Sequence, residues 1–340
     1  MVQVAGKIRE LAGHRPADLP VTELLAGGEP VVLRGVASDW EIVKRGLASS
    51  EDARRYIASF YNGRPIDFCF GDPDTNSRPH YKPDFSGFNF VVRRDRLDTV
   101  LEEIGSHIGD ERPPLYYASS LPVDACLPGF SKDNDLGLAA HGIDAPPGIW
   151  IGNRTITSAH YDAPNNIACV VVGRRRFTLF PPEQIFNLYP GPLDPTPGGQ
   201  AITSVDFSNP DFERFPAFRA ALAAGRSAEL EPGDAIFVPS MWWHHVEGLG
   251  PFNTLVNYWW NSAPAFMPTP TNTLYHALWT IRDLPEREKQ AWLNVFQYYV
   301  FGPADRAGAH LPEQARGALA PMDDLRARRI RAMLSNLLNR

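Results

Sequence analysis

The chain has 340 residues, a formal net charge of -6, 44% hydrophobic and 21% charged residues, which is enough for one large core with a smaller appendage. Mild acidity argues against a nucleic-acid-binding protein, and no apolar run is long enough to span a membrane. Cys69, Cys126 and Cys169 are odd in number and far apart, which disfavours a disulfide framework or a thiolate zinc site and suits the cytoplasm; the opening MVQVAGKIRELAGHRPADLP lacks an apolar leader core.

In chain order, 30-PVVLRGV-36 reads as a buried strand, and Trp40 after Ser-Asp begins a helical turn. Ser49 and Ser50, followed by Glu51 and Asp52, mark the start of a helix through ARRYIASFY. A second helix is expected over 95–109, where Leu97, Leu101, Ile104 and Ile108 share a face. From 112 to 262 the texture becomes short strands: LYYASSL, GIWIG, NIACVVVG, RRFTLFP, DAIFVPS and NTLVNYWW, each bounded by turn residues. Strands without intervening helices point to a mostly β fold, a double-sheet jelly roll with flanking helices. After about 270 helices return, with apolar stripes at Trp292, Val295, Phe296 and Tyr299 and at Ile330, Met333, Leu334, Leu337 and Leu338. Arg326, Arg328, Arg329 and Arg331 make the last helix basic on its other side, a solvated face over a packing or dimer seam. The expected division is 1–111 as a segment packed on the barrel, 112–265 as the barrel, and 266–340 as a C-terminal helical region.

Within the barrel, 157-TSAHYDAPNN-166 places His160 and Asp162 two residues apart, so that on a strand both aim at one point. With nine histidines in the chain, this pattern alone is weak. The third ligand is sought in 232-PGDAIFVPSMWWHHVEG-248, where an apolar strand ends in two aromatics and two histidines. Two imidazoles and one carboxylate leave open positions on an octahedral metal, the pattern of non-haem Fe(II) oxygenases; zinc more often recruits a further nitrogen or sulfur.

The order His-x-Asp, GRRRFTLFPP, PGDAIFVPSMWWHHVE and VNYWWN resembles the cupin-like JmjC group of 2-oxoglutarate-dependent oxygenases, over about residues 112–262. The segments LFPPEQIFNLYPGP and 205-VDFSNPDFERFPAF-218 are similar to those of its asparaginyl-hydroxylating members. The resemblance implies a double-stranded β-helix, with His160, Asp162 and His244 binding Fe(II) and His245 pointing away. It also implies a 2-oxoglutarate pocket formed by Tyr116, Thr157, Asn166, Asn257 and Trp259, with Tyr117 the alternative to Tyr116. Arg175 stands where the group carries a lysine for the distal carboxylate; arginine can clamp a carboxylate bidentately, so the role survives chemically. Arg174 and Arg176 are expected on the opposite face.

The implied reaction is hydroxylation of a C–H bond in a protein, peptide or small molecule, with succinate and CO2 as coproducts. Alternatives are an N-demethylase using the same chemistry and a metal- or ligand-binding cupin without turnover. The resemblance further implies a homodimer through the C-terminal helices, and it leaves the substrate open.

Overall fold

The computed structural model describes residues 2–339. They form two compact units, one reaching to Trp260 and the other running from Asn261 onward. The first unit contains β1 (Gly6–Lys7), β2 (Arg9–Ala12), β3 (Val31–Arg34), β4 (Ile66–Gly71), β5 (Val91–Asp95), β6 (Leu115–Pro122) and β7 (Pro147–Gly152). It continues through β8 (Ile156–Tyr161), β9 (Asn165–Val172), β10 (Arg175–Phe180), β11 (Arg226–Leu230), β12 (Ala235–Val238), β13 (Trp243–Gly248) and β14 (Asn253–Trp260). Five of them form a small sheet in the order β1-β11-β10-β13-β8, and nine form a large one in the order β2-β3-β12-β9-β14-β7-β6-β4-β5.

The sheets close on each other as the expected jelly roll. The reason is visible along β9, whose eight residues are all buried. Ile167, Cys169 and Val171 join the core under the helices, while Ala168 and Val170 join the core between the sheets with Phe177, Leu179, Val246 and Leu255. A strand covered on both faces reads as a continuous apolar run, which is how NIACVVVG looks. The polar exception on the inward face is Asn166, at the end where the site lies.

The flanking helices follow the sequence signals. Trp40 precedes the helix Glu41–Ala48. Ser49 caps Ser50–Phe60, its hydroxyl accepting from the Asp52 amide at 3.0 Å. The helix expected over 95–109 runs Leu97–Ser106, leaving Ile108 beyond its end. β3 pairs with β12, and β4 pairs with β6. The residues before 112 therefore supply strands to the large sheet as well as helices that cover it.

The second unit contains helices Thr271–Thr280, Glu286–Tyr299 and Asp324–Leu338, none of which buries a residue. Their apolar stripes are exposed, with Trp279 at 74% and Leu334 at 45%. Arg328 pairs with Asp324, and Arg326 with Asp323. No helix among the described residues is long and apolar enough to cross a membrane.

Gly173 turns the chain from β9 into β10 with φ +73°, and an added Cβ there would meet Asn253 Oδ1 at 2.4 Å and the Phe252 carbonyl at 2.6 Å. Gly173→Ala should therefore lower stability by about 2 kcal/mol, read from the midpoint of urea unfolding.

Candidate metal centre

β8 and β13 are antiparallel neighbours with His160 directly across from His244, and the two rings lie 4.3 Å apart between centroids. Asp162 turns to the same side, its carboxylate 3.5 Å from His244 Nε2. One donor atom from each of the three side chains falls within 4.8 Å of the others. The outward residues confirm the alternation: Tyr161 packs on Trp243, and His245 stacks on Phe207 at 4.3 Å. His245 also lies 3.3 Å from the Glu247 carboxylate.

The backbone fixes the tautomers. His160 Nδ1 is 2.9 Å from the Ser158 carbonyl, and His244 Nδ1 is 3.0 Å from the Trp242 carbonyl. A carbonyl only accepts, so each Nδ1 carries the proton and each Nε2 offers its lone pair inward. Burial, together with neighbouring His244, pushes the His160 pKa down to about 4. Burial also opposes charge on His244, but Asp162 beside it outweighs that and leaves its pKa raised. Burial likewise works against the Asp162 carboxylate, yet His244 and His160 hold its pKa below the ordinary value. Gln200 Nε2 donates to Asp162 Oδ1 at 3.0 Å, leaving the other oxygen to face His244. Once a metal displaces the proton shared between His244 and Asp162, two imidazole nitrogens and one carboxylate converge on one point, a set that fits a metal with open coordination positions.

A register shift follows immediately. His244 pairs with His160, but Val246 pairs with Thr157, so β8 carries one extra residue there. In an unbroken strand Thr157, three residues before His160, would face away. The bulge brings both into one pocket, whose other walls are Tyr117, Asn166, Arg175, Asn257 and Trp259. Ser158, at the bulge, accepts from Arg78 Nε at 2.9 Å, and Ala159 packs outward.

Arg175 is 5% exposed, burial lowers its pKa, and its Nε has no hydrogen-bond partner. A buried guanidinium is costly unless an anion reaches it, and a carboxylate-bearing cosubstrate meets that demand. Arg174 and Arg176 lie on the other face, paired with Glu229, Glu231 and Glu247. Asn257 Nδ2 donates to Asn166 Oδ1 at 3.2 Å, and Trp150 Nε1 donates to Asn257 Oδ1 at 2.7 Å. Trp259 stands edge-on to Trp150 at 5.6 Å, with its buried indole N–H unpartnered.

One expected residue is displaced. Tyr116 does not line the pocket: its hydroxyl donates to Glu103 at 3.3 Å, and its ring stacks on Phe68 and His107. Its neighbour Tyr117 turns inward, with its hydroxyl 3.5 Å from Thr157 Oγ1. Alternation on β6 makes the two choices exclusive, and nothing in LYYASSL distinguishes them. Trp150 and Gln200 also escape the sequence reading. Trp150 could have been found by strand parity in GIWIG; Gln200 sits in an irregular loop with no periodic signal.

His160 and Asp162 also line an outer cavity of about 320 Å³. Phe90, Trp150, Trp259, Cys69, Ser119, Ser120 and Gln200 contribute to its walls. Apart from Asp162, no lining residue carries a charge at neutral pH.

His160→Ala and His244→Ala should each abolish Co(II) binding measured by titration of its visible absorption, while His245→Ala should retain it. Gln200→Ala should weaken it about tenfold, since Gln200 only orients the carboxylate. Because the proton on His244 competes with the metal, affinity should fall as pH drops below that group's raised pKa.

The profile of the cupin-like domain family matches residues 16–266. Human HSPB1-associated protein 1 is 38% identical over 113 residues, 33% of this chain and 22% of that protein. The Arabidopsis thaliana protein named lysine-specific demethylase JMJ31 is 35% identical over 272 residues, covering 68% of this chain and 46% of its own length. Lysine-specific demethylase 8 of Xenopus tropicalis is 26% identical over 243 residues, 68% of this chain and 48% of that protein. The chain thus aligns with less than half the length of each of these relatives. With the match extending from the first flanking helices to the end of the barrel, the chain belongs to the cupin-like domain family, in its JmjC type.

Proposed function

We propose that this chain is an Fe(II)- and 2-oxoglutarate-dependent oxygenase that hydroxylates a C–H bond of a protein or peptide side chain or of a small molecule. The observation that carries the reading is one pocket holding both a convergent His-Asp-His set and, on another strand, a buried arginine lacking an anion. When bound, the metal and cosubstrate supply the oxidising power, with succinate and CO2 as coproducts. His160, Asp162 and His244 would hold the metal, and Gln200 keeps one Asp162 oxygen occupied. Arg175, with the Tyr117 and Thr157 hydroxyls, would take the distal carboxylate, and Asn166 and Asn257 would position its other end. Phe177, Val246, Leu255 and Trp259 keep bulk water from the pocket.

Demethylation of an N-methyl group is the second reading, supported by the names of two relatives. The outer cavity favours hydroxylation of an uncharged group, because a cationic lysine or arginine head would find no carboxylate there beyond the ligand Asp162.

Oxygen-dependent succinate formation from 2-oxoglutarate with added Fe(II) should be measurable, and product mass spectrometry should show a gain of one oxygen. Formaldehyde release would select the demethylase, and the absence of any succinate across substrates would select a binding protein. Arg175→Met should raise the Kd for 2-oxoglutarate about a hundredfold while leaving Co(II) binding intact. Tyr117→Phe should weaken it more than Tyr116→Phe.

The exposed stripes of the C-terminal helices suit a homodimer seam. Leu334→Glu should convert a dimer to a monomer in light scattering; a wild-type monomer removes the dimer.

A further inference from the structure

The large sheet ends at β5, which among the described residues pairs only with β4 and is exposed along all five residues. An exposed edge presents unpaired backbone N–H and C=O groups, and folded proteins ordinarily cover or disrupt such edges. Here it carries two exposed valines, Val91 and Val92, and has neither a proline nor a bulge.

Its position relative to the outer cavity gives the edge a use. Tyr117 on β6 pairs with Cys69 on β4, and Cys69 pairs with Val92 on β5. Directly paired residues share a sheet face, so Val92 extends the wall that Tyr117 and Cys69 make for the cavity. Phe90, two residues before Val92, lines that same cavity. Continuing along this face, the next side chain is Arg94, 3.9 Å from Asp67 in an exposed pair. The other face is spoken for differently, with Arg93 lying 3.4 Å above the Phe70 ring. One side of the strand therefore reads, from the cavity outward, as an aromatic, an exposed valine at 66%, and a cation.

We infer that the substrate is an extended polypeptide that adds to the β5 edge as a further strand, delivers one side chain into the outer cavity, and sets an acidic residue against Arg94. This rests on the oxygenase reading for the chemistry, though the docking itself can be tested without turnover. Backbone hydrogen bonds to β5 would supply sequence-independent affinity, and Val92 and Arg94 the preference. At about 3.3 Å per residue, the span from Phe90 to Arg94 puts the acidic residue roughly four positions from the reacting one.

The test uses the full chain loaded with Co(II) and 2-oxoglutarate, and two pools of labelled peptides about a dozen residues long. Both pools are randomised among neutral residues, one with Glu and the other with Lys placed four positions on either side of the centre. The Glu pool should bind about fivefold tighter by fluorescence anisotropy, and should slow amide hydrogen exchange in residues 91–95. Arg94→Glu should reverse the preference, and Val92→Pro should remove the exchange protection, while both variants keep Co(II) binding. Equal binding of both pools, protection elsewhere but not in 91–95, or an unchanged preference in Arg94→Glu overturns the inference. Succinate formation, followed in the same samples, reports separately on the oxygenase reading: peptide docking without succinate sinks that reading and leaves the docking surface standing.

Discussion

Everything at the centre hangs on how β8 and β13 are aligned. Putting His160 opposite His244 brings two imidazoles from residues 84 positions apart to a ring separation of 4.3 Å. A slip of one residue would send His245 inward in place of His244 and turn the pair apart. The outward partners resist that slip, because Trp243 is packed against Tyr161 and His245 against Phe207. The hydrophobic outside of the small sheet thus enforces the chemistry on its inside.

Electrostatic demand arises on the same scaffold. The pocket buries a carboxylate, two imidazoles and a guanidinium within a largely apolar barrel, where an unbalanced charge is expensive. Asp162 and His244 compensate each other, whereas Arg175 has no such neighbour. A dianionic cosubstrate reaching both the metal position and Arg175 would satisfy both ends of the pocket at once. The outer cavity, uncharged beyond the ligands, asks for a different kind of guest.

Much of this could be read from the chain because strand alternation is a strong rule. His160 with Asp162 and the opposed faces of Arg174, Arg175 and Arg176 follow from a period of two. Thr157 does not follow from it. Only the bulge brings a residue three positions from His160 onto the same side, and TSAHY carries no local mark of a bulge. For Thr157 the family pattern succeeded where periodicity could not. The Tyr116/Tyr117 choice went the other way, since two identical neighbours leave parity to be fixed by tertiary pairing alone. Strands β4 and β5 were missed altogether: IDFCFG and VVRRD are short and lie among loops, and β5 has no buried face to impose a pattern.

The thiol in the outer cavity wall has a bearing on durability. Cys69 lines the same cavity as His160 and Asp162, and under the proposed oxygenase reading a thiolate there would be readily oxidised. Burial pushes its pKa up to about 11, so at neutral pH the sulfur keeps its proton and its poor reactivity. If the proposed reaction runs there, the wall can thus include a small, polarisable side chain with little exposure to self-inflicted damage over repeated cycles.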